Sequence, residues 1–200
     1  METIKKYNAN INENFRVQNI RAKEGERIVI DSVEKILAPE PEPKFKIKSP
    51  YKIVDVSEDD KYQKNDIDIL MYKFSLCKRE YIYLTSFEIK TDFIIHKTNN
   101  IFAETQTQRD NGHNTTGWLY KSKADFLLYY DPYKNVFYQT DLNVLKEYVA
   151  NNINTLTYKK VYNKKEKGYN CGYLVNLSKL NYDTFNTYEL YSEELLYEKD

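Results

Sequence analysis

Apolar positions recur with two different periods along this chain, and the changes of period mark out its elements. From Glu24 to Leu37, Val29, Ile30, Val33, Ile36 and Leu37 fall at helical spacing, with Glu26, Arg27, Asp31, Glu34 and Lys35 between them. That pattern predicts an amphipathic helix. It stops at Ala38-Pro39-Glu40-Pro41-Glu42-Pro43, where alternating prolines exclude helix and ladder alike and leave a stiff extended connector. Tyr51 to Val56 reads as a strand. Asp66 to Phe74 and Tyr81 to Phe93 are both rich in β-branched and aromatic residues, and the polar turn Cys77-Lys78-Arg79-Glu80 separates them. Together they predict a long antiparallel hairpin.

Asn100 to Thr107 is a further strand candidate, followed by a polar, mobile stretch from Gln108 to Thr116. After Trp118, a short helical segment through Ser122-Lys123-Ala124-Asp125 leads into a strand, Phe126 to Tyr130. Asp131-Pro132-Tyr133-Lys134-Asn135 is a turn, and Val136 to Gln139 returns as the next strand. Asp141 is placed to cap a helix carrying Leu142, Leu145, Tyr148 and Val149. Gly172 to Leu177 is strand-like, and no internal repeat is present.

Two hundred residues with 41% hydrophobic positions can bury a real core as one domain. We expect its core over about 24–150 and a strand-rich C-terminal extension over 151–200. The 30 acidic and 30 basic residues cancel, so any phosphate-binding surface must come from local clustering. Lys44-Phe45-Lys46-Ile47-Lys48, Lys159-Lys160 and Lys164-Lys165-Glu166-Lys167 are such clusters. Cys77 and Cys171 are too few for a disulfide scaffold, and with only His96 and His113 beside them no zinc-type cluster forms. No apolar run is long enough to span a membrane, and Met1 to Tyr7 lacks the apolar stretch of a signal peptide. The expected location is the cytoplasm.

The hairpin carries the candidate chemistry. Side chains alternate along a strand, so Glu88 and Lys90 point one way and Ile89 the other. A turn centred on Lys78 sets Asp68 opposite Glu88. Two carboxylates and an ammonium then converge on one face, where facing like charges call for a cation. Mg²⁺ (or Mn²⁺) suits oxygen ligands and is held by one or two carboxylates plus substrate phosphate. The Ile89 carbonyl is a natural further ligand. An ion there could activate water and stabilise charge on a phosphodiester, with Lys90 orienting the water or neutralising the developing charge.

The runs Gln63-Lys64-Asn65-Asp66-Ile67-Asp68-Ile69-Leu70 and Phe87-Glu88-Ile89-Lys90-Thr91-Asp92 resemble the PD-(D/E)xK (restriction-endonuclease-like) nuclease superfamily, and more narrowly its small phage-type members. There the hairpin is followed by tracts like Asn100-Ile101-Phe102-Ala103-Glu104, and then Gly117-Trp118 with Ser122-Lys123-Ala124-Asp125. The similarity covers roughly Glu24 to Asp131, and the order helix, hairpin, strand, helix, strand matches. It implies an α/β fold with a restriction-endonuclease-like core, a central mixed β-sheet flanked by helices. It also implies metal ligation by Asp68 and Glu88, a catalytic Lys90, and hydrolysis of DNA phosphodiesters, in the host cytoplasm if the chain is phage-encoded. The Pro of the motif's name is absent; Ile67 stands there. Asp66 is the rival first carboxylate, on the same strand face as Asp68.

Glu26, just after Gly25, resembles a helix Glu that some members use to complete the metal site, and equally suits a helix N-terminus. Glu104 and Gln106 sit on one face of their strand and could extend the site; Lys123 could meet phosphate. His113 is a solvent-facing loop residue, His96 has no partner pattern, and core packing accounts for Trp118 and Tyr120. A small enzyme of this kind would often be a homodimer, although no interface pattern stands out. The alternative function is a non-catalytic nucleic-acid-binding or interaction protein that kept the nuclease fold.

Overall fold

The computed structural model of the chain describes residues 20–35, 50–164, 167–180 and 185–189. The proline connector, the Lys44–Lys48 row, and Lys165 and Glu166 lie outside the described residues. A helix over 20–35 (α1) buries Val29, Ile30 and Val33. There follow β1 (Tyr51–Asp55), the single turn α2 (Asp60–Gln63), and the hairpin β2 (Ile69–Ser75) and β3 (Glu80–Thr91). Next come α3 (Ile95–Thr98), β4 (Asn100–Arg109), β5 (Asn114–Thr116) and α4 (Trp118–Lys121). The chain continues through β6 (Phe126–Asp131), β7 (Val136–Asp141), α5 (Leu142–Asn152), β8 (Thr157–Asn163), β9 (Gly168–Asn176) and β10 (Phe185–Glu189). Asp141 caps α5, its Oδ1 accepting from the Asn143 and Val144 N–H groups at 2.8 and 3.1 Å. Among the described residues no helix is long and apolar enough to cross a membrane.

These strands build two sheets in an α/β fold. The first is mixed and six-stranded, in the order β1-β2-β3-β6-β7-β10. Its neighbours are antiparallel except β3 and β6, which run parallel. The second is four-stranded and antiparallel, in the order β5-β4-β9-β8. Alternation along β6 divides the core. Leu128 and Tyr130 join Val29, Ile30 and Val33 of α1 on one face of the mixed sheet. Leu127 and Tyr129 pack on the other face with Ile101 and Ala103 of β4, Leu119 of α4, and Leu145 and Val149 of α5.

Several expectations are corrected here. Helices lie on both faces of the mixed sheet, α1 on one and α4 with α5 on the other, but the second sheet, which was not expected, shares the α4/α5 face. The strand expected over Asn100 to Thr107 is present as β4, in the second sheet, where it pairs with β9 from Asn100↔Asn176 to Arg109↔Gly168. The helical turn after Gly117 ends at Lys121: Ser122 is already extended, and the Lys123 N–H donates to the Asn65 carbonyl at 2.9 Å. Lys123 is therefore not on a helix. β2 begins at Ile69, so Asp66 and Asp68 precede it, and Asp66 turns with φ of 45°.

The hairpin reaches its register in two stages. Near the tip the pairs are Ser75↔Glu80 to Tyr72↔Tyr83, which centres the turn between Cys77 and Lys78. Leu84 is an extra residue on β3, and beyond it Met71↔Thr85, Leu70↔Ser86 and Ile69↔Phe87 are in register. A bulge of this kind inserts one residue against none on the partner strand. The register at Ile69↔Phe87 brings Asp68, the residue before β2, against the Phe87–Glu88 step of β3, where its N–H donates to the Phe87 carbonyl at 2.9 Å.

α1 comes close to β3 through Gly25. A Cβ there would sit 2.5 Å from Thr91 Oγ1 and 2.8 Å from Thr91 Cγ2. Alanine in a helix interior ordinarily gains about 1 kcal/mol over glycine. Here the clash reverses the sign, so we expect Gly25→Ala to lower the unfolding midpoint in urea. In a Thr91→Ala background the same change should be neutral or stabilising. A destabilisation by Gly25→Ala that is unaltered by Thr91→Ala would rule out this close approach.

Candidate active site

Glu88 owes its environment to its strand. On β3, between β2 and β6, its side chain emerges beside Leu127 and is only 1% exposed. A carboxylate in such a place is costly unless it is paired. Lys90, two residues on and so on the same face, forms an ion pair with Glu88 Oε1, while Glu88 Oε2 is buried with no hydrogen-bond partner among the described residues. Burial pushes the Glu88 carboxyl up to about 8, with Asp68 adding to the rise and Lys90 opposing it.

Asp68 reaches this point from the start of β2. Its N–H donates to the Phe87 carbonyl at 2.9 Å, and its Oδ2 accepts from the Ile89 N–H at 2.7 Å. The second contact closes a gap in the ladder. β3 runs past the start of β2, so from Glu88 onward only β6 pairs with it. In an extended strand the N–H and C=O of one residue point to the same edge, which puts the Ile89 carbonyl on the edge that Asp68 occupies. Asp68 is itself raised, by burial first, against the lowering effects of Lys90 and the Ile89 N–H; its carboxyl lies within hydrogen-bonding reach of Glu88. Burial by itself would lower the Lys90 ammonium, but Glu88 and Asp68 more than offset that and hold it above the usual lysine value.

Glu26 belongs to the same electrostatic group. It lies one turn before Val29 and Ile30 on α1, and its carboxyl is raised by burial and then by Asp68, while Lys90 and Lys23 oppose. The packing of Gly25 on Thr91 brings this turn in. Asp66 is tied elsewhere: its Oδ1 accepts from Lys121 Nζ at 2.6 Å, and its carbonyl accepts from Ser122 Oγ at 2.8 Å. Asp68 is thus the carboxylate placed against Glu88, and Asp66 is not on its strand face.

The other candidates separate. Glu104 accepts from Thr107 Oγ1 at 3.0 Å and lines a cleft that Lys90 also lines. Gln106 is on the opposite face, bonded to Gln108 at 3.1 Å. Thr105 is an extra residue between Glu104↔Gly172 and Gln106↔Cys171, and it reverses the alternation. Thr107 and Arg109 therefore take the cleft positions. Lys123 is exposed beyond α4. His113 is exposed, and His96 lies against Tyr133 with ring centroids 4.3 Å apart. Trp118 is buried, whereas Tyr120 is 45% exposed and is not a core residue.

Three further groups organise the site; Lys121 and Tyr129 stand outside the quoted motifs, and Asp125 ends one of the quoted tracts without having been given a role. Lys121 holds Asp66. Tyr129 OH donates to Asp92 Oδ2 at 2.7 Å and accepts from the Phe102 N–H at 3.2 Å, joining the end of β3 to β4. Asp125 Oδ2 accepts from Tyr83 OH, Thr85 Oγ1, and the Ser86 N–H and Oγ at 2.7–3.0 Å, anchoring β6 beside β3. Burial alone would raise Asp125, but these donors outweigh it and lower its pKa.

No three His, Cys, Asp or Glu side chains among the described residues are grouped closely enough to hold an ion by themselves. The donor set is two carboxyls, Asp68 and Glu88, with the Ile89 carbonyl beside them and Glu26 nearby. Its fit to a hard divalent cation rests on the unpartnered Glu88 Oε2 and on an acid pair that cannot both ionise at low cost. The chain matches no family model, no curated protein and no solved structure.

The raised carboxyl has a stability consequence whose sign is fixed. Glu88 binds its proton more tightly when folded than when unfolded. Its contribution is therefore complete below the ordinary carboxylate range and is lost as pH rises toward about 8. In EDTA we expect Tm to fall from about pH 5 to about pH 8, at roughly 2–4 °C per kcal/mol for a chain of this size. Glu88→Gln should remove most of the fall. A wild-type Tm that stays level across the window would contradict a buried, proton-retaining Glu88.

Proposed function

We propose that this chain is a divalent-metal-dependent nuclease of the PD-(D/E)xK class that hydrolyses DNA phosphodiester bonds. The observation that carries the reading is the meeting of Asp68, Glu88 and Lys90 at the unpaired edge of β3, with one Glu88 oxygen buried and unpartnered among the described residues. The mixed sheet supports it as well, with β3 between antiparallel β2 and parallel β6 and helices on its faces. Fold by itself does not fix activity, so the weight falls on the site.

Asp68, Glu88 and the Ile89 carbonyl would hold Mg²⁺ or Mn²⁺, and Glu26 is close enough electrostatically to tune or extend that set. When bound, such an ion stabilises charge on phosphoryl oxygens and lowers the pKa of water. Asp68 is held in place by the Ile89 N–H, so its other oxygen has a defined direction. Lys90 keeps its proton and is partly exposed at the cleft. It offers N–H donors to a phosphate oxygen or to the attacking water, where charge develops in the transition state. Lys121 neutralises Asp66, which keeps a further carboxylate from repelling the incoming phosphate. A role in phage DNA recombination, repair or processing is consistent with this chemistry.

The test is incubation with Mg²⁺ or Mn²⁺ and a panel of single-stranded, duplex and branched DNA and RNA. Cleavage should require the ion. Glu88→Ala and Lys90→Ala should each lower the rate on the order of 10²–10³-fold, as removal of a transition-state contact does. Cleavage that survives both changes refutes the site. Nucleic-acid binding without cleavage by clean wild type favours the non-catalytic binder.

A further inference from the structure

Beside Lys90 a cleft of about 880 Å³ opens between the end of β3 and one face of the second sheet. That volume falls within the roughly 300–1,000 Å³ that engulfs a small-molecule-sized group. Its wall is unusual in composition. Phe102 supplies aromatic surface beside the largely buried Trp118, and Val161 and Leu174 supply aliphatic surface. Arg109, Lys121 and Lys159 supply positive charge, against the carboxylates of Asp66, Asp92 and Glu104, of which Asp66 is paired with Lys121, Asp92 accepts from Tyr129 OH and Glu104 from Thr107 Oγ1. Among the described residues Lys121 is paired with Asp66, but Arg109 and Lys159 belong to none of the ion pairs. Thr91 and Asn170, on the same wall, have a buried Oγ1 and Oδ1 with no hydrogen-bond partner among the described residues.

We propose that this cleft seats an unpaired DNA strand next to the scissile phosphate, so that the substrate is single-stranded or branched DNA and not intact duplex. The inference rests on the nuclease reading of the adjoining site, from which Lys90 extends into the cleft. Aromatic walls with interspersed cations are what an unpaired strand needs, since its bases stack while its backbone seeks positive charge. A duplex keeps its bases stacked and paired, and would have to flip one out to use these walls. It also asks for a broad basic surface along its phosphates, whereas the chain's 30 basic and 30 acidic residues cancel.

Trp118 is the only tryptophan in the chain and lines the cleft, so its emission reports occupancy. In EDTA, with cleavage suppressed, a short single-stranded DNA should change that emission saturably. A blunt duplex of equal length should need at least a tenfold higher concentration. Arg109 and Lys159 are both exposed, so their replacement should leave folding intact, which a matching Tm checks. Arg109→Ala combined with Lys159→Ala should weaken single-strand binding tenfold or more. It should also lower the slope of log K against log salt by about 1.4, two contacts at roughly 0.7 each. Equal response to duplex, or single-strand binding indifferent to both substitutions, overturns the proposal; tighter binding of RNA of the same sequence overturns its assignment to DNA. Because no cleavage is read, this outcome and that of the metal assay can fail independently.

Discussion

A carboxylate with 1% exposure, set beside Leu127 in the parallel ladder and within hydrogen-bonding reach of Asp68, makes a demand that the surrounding chain is arranged to meet. Charge taken out of water has to be compensated locally, by a proton, an ammonium or a metal ion. Glu88 draws on the first two, since its carboxyl holds a proton up to about 8 and Lys90 is paired with its Oε1. Glu88 Oε2 has no hydrogen-bond partner among the described residues. Such a group is expensive to keep in a purely structural role. A leucine in that position would extend the apolar contact with Leu127 at no electrostatic cost.

The two sheets divide the work around this group. The mixed sheet supplies rigid placement: β3 is held by β2 on one side and β6 on the other, and the Asp125 carboxylate binds donors from Tyr83, Thr85 and Ser86 just before Glu88. The second sheet supplies the wall opposite Lys90. Tyr129 fastens the two through Asp92 and the Phe102 N–H, and its hydroxyl is held well above its usual pKa by burial and by Asp92. It therefore stays a neutral donor at any pH the protein would meet.

The central geometry was legible in the sequence because it depends on alternation and on one hairpin. Glu88 and Lys90 share a face by period two, and Asp68 faces Glu88 if the turn is centred on Lys78. What the sequence hid were local departures from regularity. Thr105 breaks the alternation in β4 and sends Gln106 away from Glu104. Asp66 looked like a strand residue but turns with a positive φ and is held by Lys121, a partner 55 residues away. The second sheet escaped because β4 and β9 pair across long sequence separation, and nothing local marks a strand's choice of sheet. Gly25 carried a weak signal, as a glycine within a good helical pattern; its reason lies in Thr91, on another element.

The extra residue at Leu84 separates two jobs within one ribbon. On the tip side of it, Tyr72 and Tyr83 meet edge to face with ring centroids 6.1 Å apart, and Leu76 stands 83% exposed. On the base side, every residue down to Glu88 has its face assigned. A one-residue slip reverses every side chain in a strand, so a lost or gained position between Thr85 and Glu88 would turn the acid into the α1 side of the core. At the tip, by contrast, length can drift between related chains while the bulge absorbs the difference. Variation in such a lineage should gather above this point and stop below it.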